Sequence, residues 1–239
     1  MELLLISGLV LVASFLGTII GFGSSIVIIP VFLLFFPLPE TLLFAGIIHV
    51  FVDIWQTILF KKSINYKVLI YFGVPSVIAG FLGAQMLLGA NHVLIIRSLG
   101  VLLVIYGVFE LIKPNFKLAN SKFHNLLGGS VSGFISGFSG IGGPVRSMFL
   151  QAFDLPEKQY LFTAGLIALL VDITRISTYV SRGVALPSEL KMLIVVLMPI
   201  SLLSAELAKK VVERIPHNLF KKIVALFLII SGVVLFVRI

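Results

Sequence analysis

Five ionisable residues lie inside long apolar stretches of the sequence, where a charge is costly and therefore points to a function. They are His49, Asp53, Arg146, Asp172 and Arg175. Carboxylates and imidazoles in such surroundings can take up and release protons, whereas buried guanidinium groups can bind anions. These residue types together indicate a site that binds an anion and transfers protons.

The polar residues form a stripe on each of two predicted helices. His49, Asp53 and Gln56 lie at positions i, i+4 and i+7, on one helical face. Asp172 and Arg175 are three residues apart on the second helix, so an ion pair between them that helps two helices dock is one alternative for them. The other is that Arg175, with Gln56, binds substrate. Asp53 has no cation near it in the sequence, so we expect it to be the proton-coupling group, with His49 either as its relay or as a hydrogen-bonded core residue.

Arg146 occupies an unusual position behind Gly143-Pro144. Proline is favoured at the first position of a helix, so a helix is predicted to begin there. Arg146 would then lie in the first turn, where the positive end of the helix dipole disfavours a cation. This conflict predicts an anion nearby, either a carboxylate or a bound substrate.

Dense glycines surround this helix start and recur near the beginning of the chain. Each glycine costs about 1 kcal/mol relative to alanine in a helix interior, so the helix is predicted to break at both motifs. Broken backbone at membrane depth must line a polar cavity or be buried in protein, and its free N–H groups suit an anion. The serines of the first motif can cap the new helix, donate hydrogen bonds to a ligand, or do both. The substrate-binding residues predicted at the two breaks are Gly21, Gly23, Ser24, Ser25, Ser139, Gly140, Gly142 and Gly143.

The composition is that of a membrane protein. Of the 239 residues, 59% are hydrophobic and 12% are charged, whereas soluble domains carry about 25% charged residues. Several apolar runs reach the ~20 residues that cross a bilayer. We therefore expect an all-α polytopic protein in the cell membrane. The basic residues that give the net charge of +8 lie mainly in loops. The positive-inside rule and contact with anionic lipid account for them better than binding to nucleic acid does.

An internal duplication organises the chain into two sets of four hydrophobic segments. Residues 45–54 match residues 164–173 at six of ten positions, and shorter matches, such as Gly107 with Gly232, follow in the same order. We predict a first repeat at 1–112, a basic linker at 113–123 and a second repeat at 124–239, which together form one transmembrane domain. The eight predicted segments are 3–36, 41–60, 67–89, 92–112, 124–153, 160–180, 188–208 and 218–238.

The first segment of each half is too long for a simple span and is either a tilted, broken span or a re-entrant pair of helices. Loop charges favour re-entry. With re-entry, twelve basic residues fall on one side of the membrane and four on the other, the asymmetry that the positive-inside rule predicts. Re-entry gives each half an odd number of crossings, so the two repeats would be inverted relative to each other.

The two glycine-rich motifs, Gly21–Pro30 and Gly133–Pro144, resemble those of the sulfite exporter TauE/SafE family of membrane permeases. The duplicated layout also agrees, so the resemblance covers nearly the whole chain. It implies transport of small sulfur-containing or organic anions, and it places glycines of the family's breaks at Gly21, Gly23, Gly140, Gly142 and Gly143. Ser24 and Ser25 stand where glycines are common in the family, which bears on the identity of the ligand.

From these observations we expect a secondary transporter, and more specifically an exporter, of a small anion such as sulfite, a sulfonate or a related carboxylate, coupled to protons. A passive anion channel is the alternative, and a membrane scaffold is a third reading that the polar breaks disfavour. We expect no enzyme activity, no cofactor and no metal, since the sequence has no dense His and carboxylate cluster and no phosphate-binding loop.

Overall fold

The computed structural model describes residues 25–61, 64–113, 120–199 and 217–238, together with Gly8. These residues form helices joined by short turns and contain no strand. A π-helical segment, Leu69–Gly73, lies within α3, and a 3-10 turn, Gln151–Phe153, follows α6. The helices in chain order are α1 Ser25–Phe32, α2 Leu38–Leu59, α3 Tyr66–Leu87, α4 His92–Ile112, α5 Lys122–Ser139, α6 Gly143–Leu150, α7 Glu157–Ser181, α8 188–199 and α9 His217–Arg238.

Four helices among the described residues are long and apolar enough to cross a membrane: Leu38–Leu59, Tyr66–Leu87, His92–Ile112 and Lys158–Ser181. At 1.5 Å per residue the 22 residues of α2 extend about 33 Å, which matches a hydrocarbon core of about 30 Å. Many large apolar side chains on these helices are exposed, as expected for a surface in contact with lipid. The prediction of an all-helical, multi-pass membrane protein is confirmed.

The interruption predicted in the second half is present between α5 and α6. Helix α5 ends at Ser139, and Gly140 then adopts a left-handed conformation with φ of 76°. Glycine enters this region without the steric cost that a Cβ brings, and its N–H closes the helix by donating to Ser136 O at 2.9 Å. A new helix begins at Gly143. The matching break of the first half, with Gly21, Gly23 and Ser24, lies outside the described residues.

Beyond this break, α6 folds back along α5. Gly142 lies against the side chain of Ser136, and the ring of Phe149 lies against Gly128, near the start of α5. The two helices therefore form an antiparallel hairpin whose tip is the glycine motif. The α5 helix begins at Lys122, two residues before the predicted start of the second repeat, because the Ser121 side chain caps it by accepting a hydrogen bond from His124 N.

Helices α3 and α5 are in backbone contact along their length. The sequence separation between contacting residues is constant, so the two helices run parallel. Only glycine allows this approach, because a Cβ added at any of the three α5 glycines would overlap a backbone carbonyl oxygen of α3. The contacting pairs are Gly129 with Phe72, Gly133 with Ser76 and Gly137 with Gly80.

Helices α2 and α7 pack against each other. Two hydrogen bonds join them, and in the second bond the donor and acceptor helices are exchanged. Gln56 Nε2 of α2 donates to Leu161 O of α7 at 2.8 Å, and Arg175 Nη1 of α7 donates to Leu42 O of α2 at 3.3 Å. The sequence alignment pairs Gln56 with Arg175 and Leu42 with Leu161. Residue numbers rise along one helix as they fall along the other at these contacts, so α2 and α7 run antiparallel.

Helices α4 and α9 show the same arrangement. Gly100 lies against Gly232, and Gly107 lies against Ala225. The alignment that pairs Gly107 with Gly232 also pairs Gly100 with Ala225, so these two contacts again exchange roles. Because the earlier residue of α4 meets the later residue of α9, this pair is also antiparallel.

Candidate ion-binding site between helices α2, α6 and α7

A buried contact between His49 on α2 and Asp172 on α7 lies at the centre of the site. His49 Nδ1 is 2.5 Å from Asp172 Oδ2, and both residues are at most 5% exposed. The two residues are separated by 123 positions. In the sequence they belong to two separate polar stripes, so their contact could not be predicted from helical spacing.

Arg175 forms an ion pair with the other carboxylate oxygen of Asp172. Its Nε lies 2.5 Å from Asp172 Oδ1, so the ion pair that the spacing left open is formed. Arg175 is fully buried, and its Nη1 donates to Leu42 O. The guanidinium group also lies beside Gly140 at the tip of the α5–α6 hairpin. Arg175 therefore connects the carboxylate of Asp172 to the broken backbone, and its Nη2 has no hydrogen-bond partner among the described residues.

Asp53 faces the opposite edge of the His49 ring. Its Oδ1 lies 3.7 Å from His49 Nε2, which is longer than a hydrogen bond. Asp53 is 3% exposed, and neither its Oδ2 nor His49 Nε2 has a hydrogen-bond partner in the part of the chain that the structure describes. His49 thus stands between two carboxylates, in close contact with one and separated from the other by a gap.

Arg146 is buried in the first turn of α6. Its backbone N–H donates to Gly142 O, which fixes it at the start of the helix, and only 5% of the residue is exposed. Its side chain interacts electrostatically with His49 and Asp53. No ion pair joins Arg146 to a carboxylate of the described residues, and its Nε has no hydrogen-bond partner among them. Arg146 is therefore a buried guanidinium with unused hydrogen-bonding capacity.

Two tyrosines that the sequence analysis did not single out complete the polar surroundings. Tyr179 is fully buried and donates from its hydroxyl to Gly137 O at 2.5 Å. It lies four residues after Arg175, on the face that carries Asp172, and this spacing is the signal that could have identified it. Tyr160 of α7 forms a side-chain hydrogen bond with Ser147, the neighbour of Arg146. A lone tyrosine at the start of an apolar helix gives no comparable signal.

The other predicted binding residues have mixed surroundings. Ser25 is buried at the first position of α1, and its hydroxyl has no hydrogen-bond partner among the described residues. Ser139 donates to Ile135 O within its own helix, and Gln56 uses its amide nitrogen to join α2 to α7. Gly140, Gly142 and Gly143 form the tip of the hairpin.

His49, Asp53 and Asp172 have ligand atoms within 4.8 Å of one another, a group that could hold a metal ion by composition. No dense His and carboxylate cluster was predicted from the sequence, because tertiary contacts bring these three residues together. Both oxygens of Asp172 are already engaged, one by His49 and one by Arg175. Only His49 Nε2 and the Asp53 carboxylate remain, fewer than the three or four protein ligands of typical zinc sites. These two remaining groups alone do not make a typical zinc site.

The family model described as sulfite exporter TauE/SafE matches residues 6–235, and the searches of curated proteins and of solved structures gave no match. The matched range includes every residue of the site and both glycine-rich motifs. The chain therefore belongs to the sulfite exporter TauE/SafE family of membrane transporters.

Proposed function

We propose that the protein is a proton-coupled secondary transporter of a small anion in the cell membrane and that it acts as an exporter. The family supports transport of sulfur-containing anions, so sulfite and small sulfonates are the first candidates, with related carboxylates next. The buried guanidinium of Arg146 is the observation that carries this proposal. A charge in these surroundings is costly unless a counter-charge compensates it, and no described carboxylate pairs with it.

The proposed anion site is the space in front of α6. Arg146 supplies charge and directed N–H donors, and the α6 N-terminus adds free backbone N–H groups. Ser25, at the start of α1, offers a buried hydroxyl without a described partner. Gly140 lies against Ile29 of α1, so the hairpin tip is next to the half-helix of the first repeat. Gly142, Gly143 and Arg175 complete the proposed set on this side.

Asp53 and His49 are the proposed proton-coupling groups. Arg146 interacts electrostatically with both residues, so bound anion and bound proton would be close neighbours. An anion entering this region adds negative charge, which favours protonation of the nearby carboxylate and imidazole. This mutual attraction is a physical basis for moving the two ions together.

We further propose that residues 1–112 and 124–239 are inverted repeats joined by the 113–123 linker. If the two repeats had the same orientation, corresponding helices would run in the same direction. Instead, α2 runs antiparallel to α7, and α4 runs antiparallel to α9. The exchanged contacts in both pairs support a pseudo-two-fold axis in the membrane plane. The hairpin of α5 and α6 supports re-entry, because α6 returns toward the end at which α5 began.

This topology predicts a labelling pattern for single cysteines, which can be introduced cleanly because the chain has none. Cysteines replacing Pro39 and Ser188 should react with a membrane-impermeant probe from outside the cell, and one replacing Ser121 only from the cytoplasm. In parallel repeats with one crossing per segment, Pro39 and Ser188 would lie on opposite sides. Labelling of those two positions from opposite faces would therefore contradict the inverted arrangement.

Purified protein in liposomes tests the transport proposal directly. We expect labelled sulfite or a small sulfonate to accumulate when a pH gradient is imposed, and to exchange with unlabelled anion without a gradient. Liposomes without protein are the control. Movement that follows only the gradient of the anion, with no response to the pH gradient, would instead support the passive channel. Absence of any anion movement would contradict both.

A further inference from the structure

We infer that Asp172 is a positioning residue of the proton-coupling site, which fixes the tautomer of His49 so that one proton is shared between His49 Nε2 and Asp53. The inference deepens the proposed function and rests on it for its role in transport. The tautomer itself is a property of the protein that can be measured without any substrate.

Asp172 is held in its ionised state by Arg175. Arg175 Nε lies 2.5 Å from Oδ1 of this carboxylate, and the guanidinium is fully buried. A buried guanidinium in direct contact favours the ionised carboxylate. An ionised carboxylate can only accept hydrogen bonds. His49 Nδ1, 2.5 Å from Oδ2, must therefore carry the proton of that contact.

A neutral imidazole has one N–H and one bare nitrogen, so a proton on Nδ1 leaves Nε2 with its lone pair. His49 Nε2 has no hydrogen-bond partner among the described residues. It faces Asp53 Oδ1 across 3.7 Å. The ring is thus held with its basic nitrogen toward Asp53. Among the described residues, no arginine or lysine is in contact with this carboxylate.

One proton is shared between His49 Nε2 and Asp53. When the proton is on Asp53, a neutral carboxyl group faces a neutral imidazole. When it moves to Nε2, an imidazolium lies between two carboxylates. The transfer breaks one O–H bond and forms one N–H bond without changing the total charge. A small closure of the 3.7 Å gap would bring the two atoms within hydrogen-bonding distance.

The remaining charges around His49 fit this assignment. The described groups that interact electrostatically with it are Asp53 on its own helix, Asp172 on α7 and Arg146 on α6. Arg175 is held by Asp172 and by the carbonyl of Leu42. With His49 neutral and Asp53 ionised, two carboxylates balance two guanidinium groups, so an added proton pairs naturally with an added anion. The aligned position of His49 in the second repeat is Ala168, so helix α7 has no histidine at the equivalent position.

Nitrogen NMR of the full-length protein in detergent or nanodiscs, with ¹⁵N-labelled histidine, tests the tautomer. The chain has four histidines, and His49→Gln identifies the His49 signals by their loss. At a pH high enough to give a neutral His49 ring, we expect the proton on Nδ1 and a bare Nε2. A neutral ring with its proton on Nε2 would overturn the inference, whatever the transport activity.

Two matched asparagine variants show which carboxylate sets the tautomer. In Asp172→Asn the amide can donate to Nδ1, so we expect the proton to move to Nε2. In Asp53→Asn the new amide faces Nε2 and can donate a hydrogen bond to it. The proton should therefore stay on Nδ1, as in the wild type. A shift in Asp53→Asn without one in Asp172→Asn would contradict the proposed role of Asp172. If Asp172→Asn is too unstable to study because Arg175 loses its partner, the wild-type spectrum and the Asp53→Asn spectrum still decide the outcome.

Transport measurements separate this inference from the proposed function. Asp172→Asn should shift the pH at which gradient-driven uptake is half-maximal, since a proton on Nε2 changes the basicity of the His49–Asp53 pair. An unchanged pH profile in a variant whose NMR tautomer has switched would show that His49 does not take part in coupling. If the wild-type protein binds no anion, the proposed function is contradicted. The measured tautomer of His49 is unaffected by that result.

Discussion

Replacement of Arg146 by glutamine should nearly abolish anion binding while the protein still folds. Glutamine retains hydrogen-bonding capacity but removes the charge that compensates a bound anion. Hydrogen bonds to charged groups contribute about 1.5–3 kcal/mol each, so we expect affinity to fall by at least about tenfold. The variant also removes a buried charge without a described ion-pair partner, so its melting temperature without anion should not fall strongly. Calorimetric titration with sulfite or a sulfonate measures the affinity.

Two further variants distinguish the geometry of Arg146 from its charge. Arg146→Lys keeps the positive charge but loses the planar fork that suits oxyanions, so binding should weaken less than in the glutamine variant. Arg97→Gln removes one positive charge from an exposed position on α4 and is the matched control. Its affinity should equal that of the wild type. Unchanged affinity in Arg146→Gln would remove Arg146 from the proposed site and with it the main support for anion binding there.

Replacement of Asp53 by asparagine should separate anion exchange from proton-driven transport. Asparagine resembles the protonated carboxyl group in size and polarity but cannot release a proton. We therefore expect exchange of labelled for unlabelled anion to continue, while accumulation driven by a pH gradient is lost. Both rates can be measured on the same liposome preparation, so a general loss of protein would lower them equally.

Asp154 provides the matched control for this substitution. It is exposed in the turn between α6 and α7 and has φ of 49°, a left-handed conformation that asparagine adopts as readily as aspartate. Asp154→Asn should leave both exchange and gradient-driven accumulation unchanged. Full gradient-driven accumulation in Asp53→Asn would exclude Asp53 as the coupling group and favour the passive channel.

The local features of the chain could be predicted from its sequence because their causes are local. Runs of apolar residues mark helices that can cross a bilayer, and the structure has helices at 38–59, 66–87, 92–112 and 157–181 close to the predicted segments. The break after Ser139 follows from the conformational preferences of glycine and proline. The ionisable residues stood out because charge is rare in such surroundings, and the family could be recognised from the glycine-rich motifs.

The assembly of the site could not be predicted in the same way. Helical periodicity shows which residues share a face of one helix, but it does not show which face of another helix they meet. Nothing in the sequence placed His49 beside Asp172, and the spacing of Asp172 and Arg175 allowed an ion pair without requiring it. The gap between His49 and Asp53, and the lack of a described ion-pair partner for Arg146, are also properties of packing.

The sequence by itself thus determined an all-helical membrane protein, the position of the second break and the set of ionisable residues available for chemistry. Only the tertiary structure decided that α2 and α7 are antiparallel neighbours, and this arrangement brings carboxylates from distant parts of the chain to opposite edges of one imidazole ring. The physical reason is that apolar burial and helix propensity act over a few turns of the chain. The distance between two buried charges depends instead on how whole helices cross, and between α2 and α7 that crossing is held by contacts such as the hydrogen bond from Gln56 Nε2 to Leu161 O.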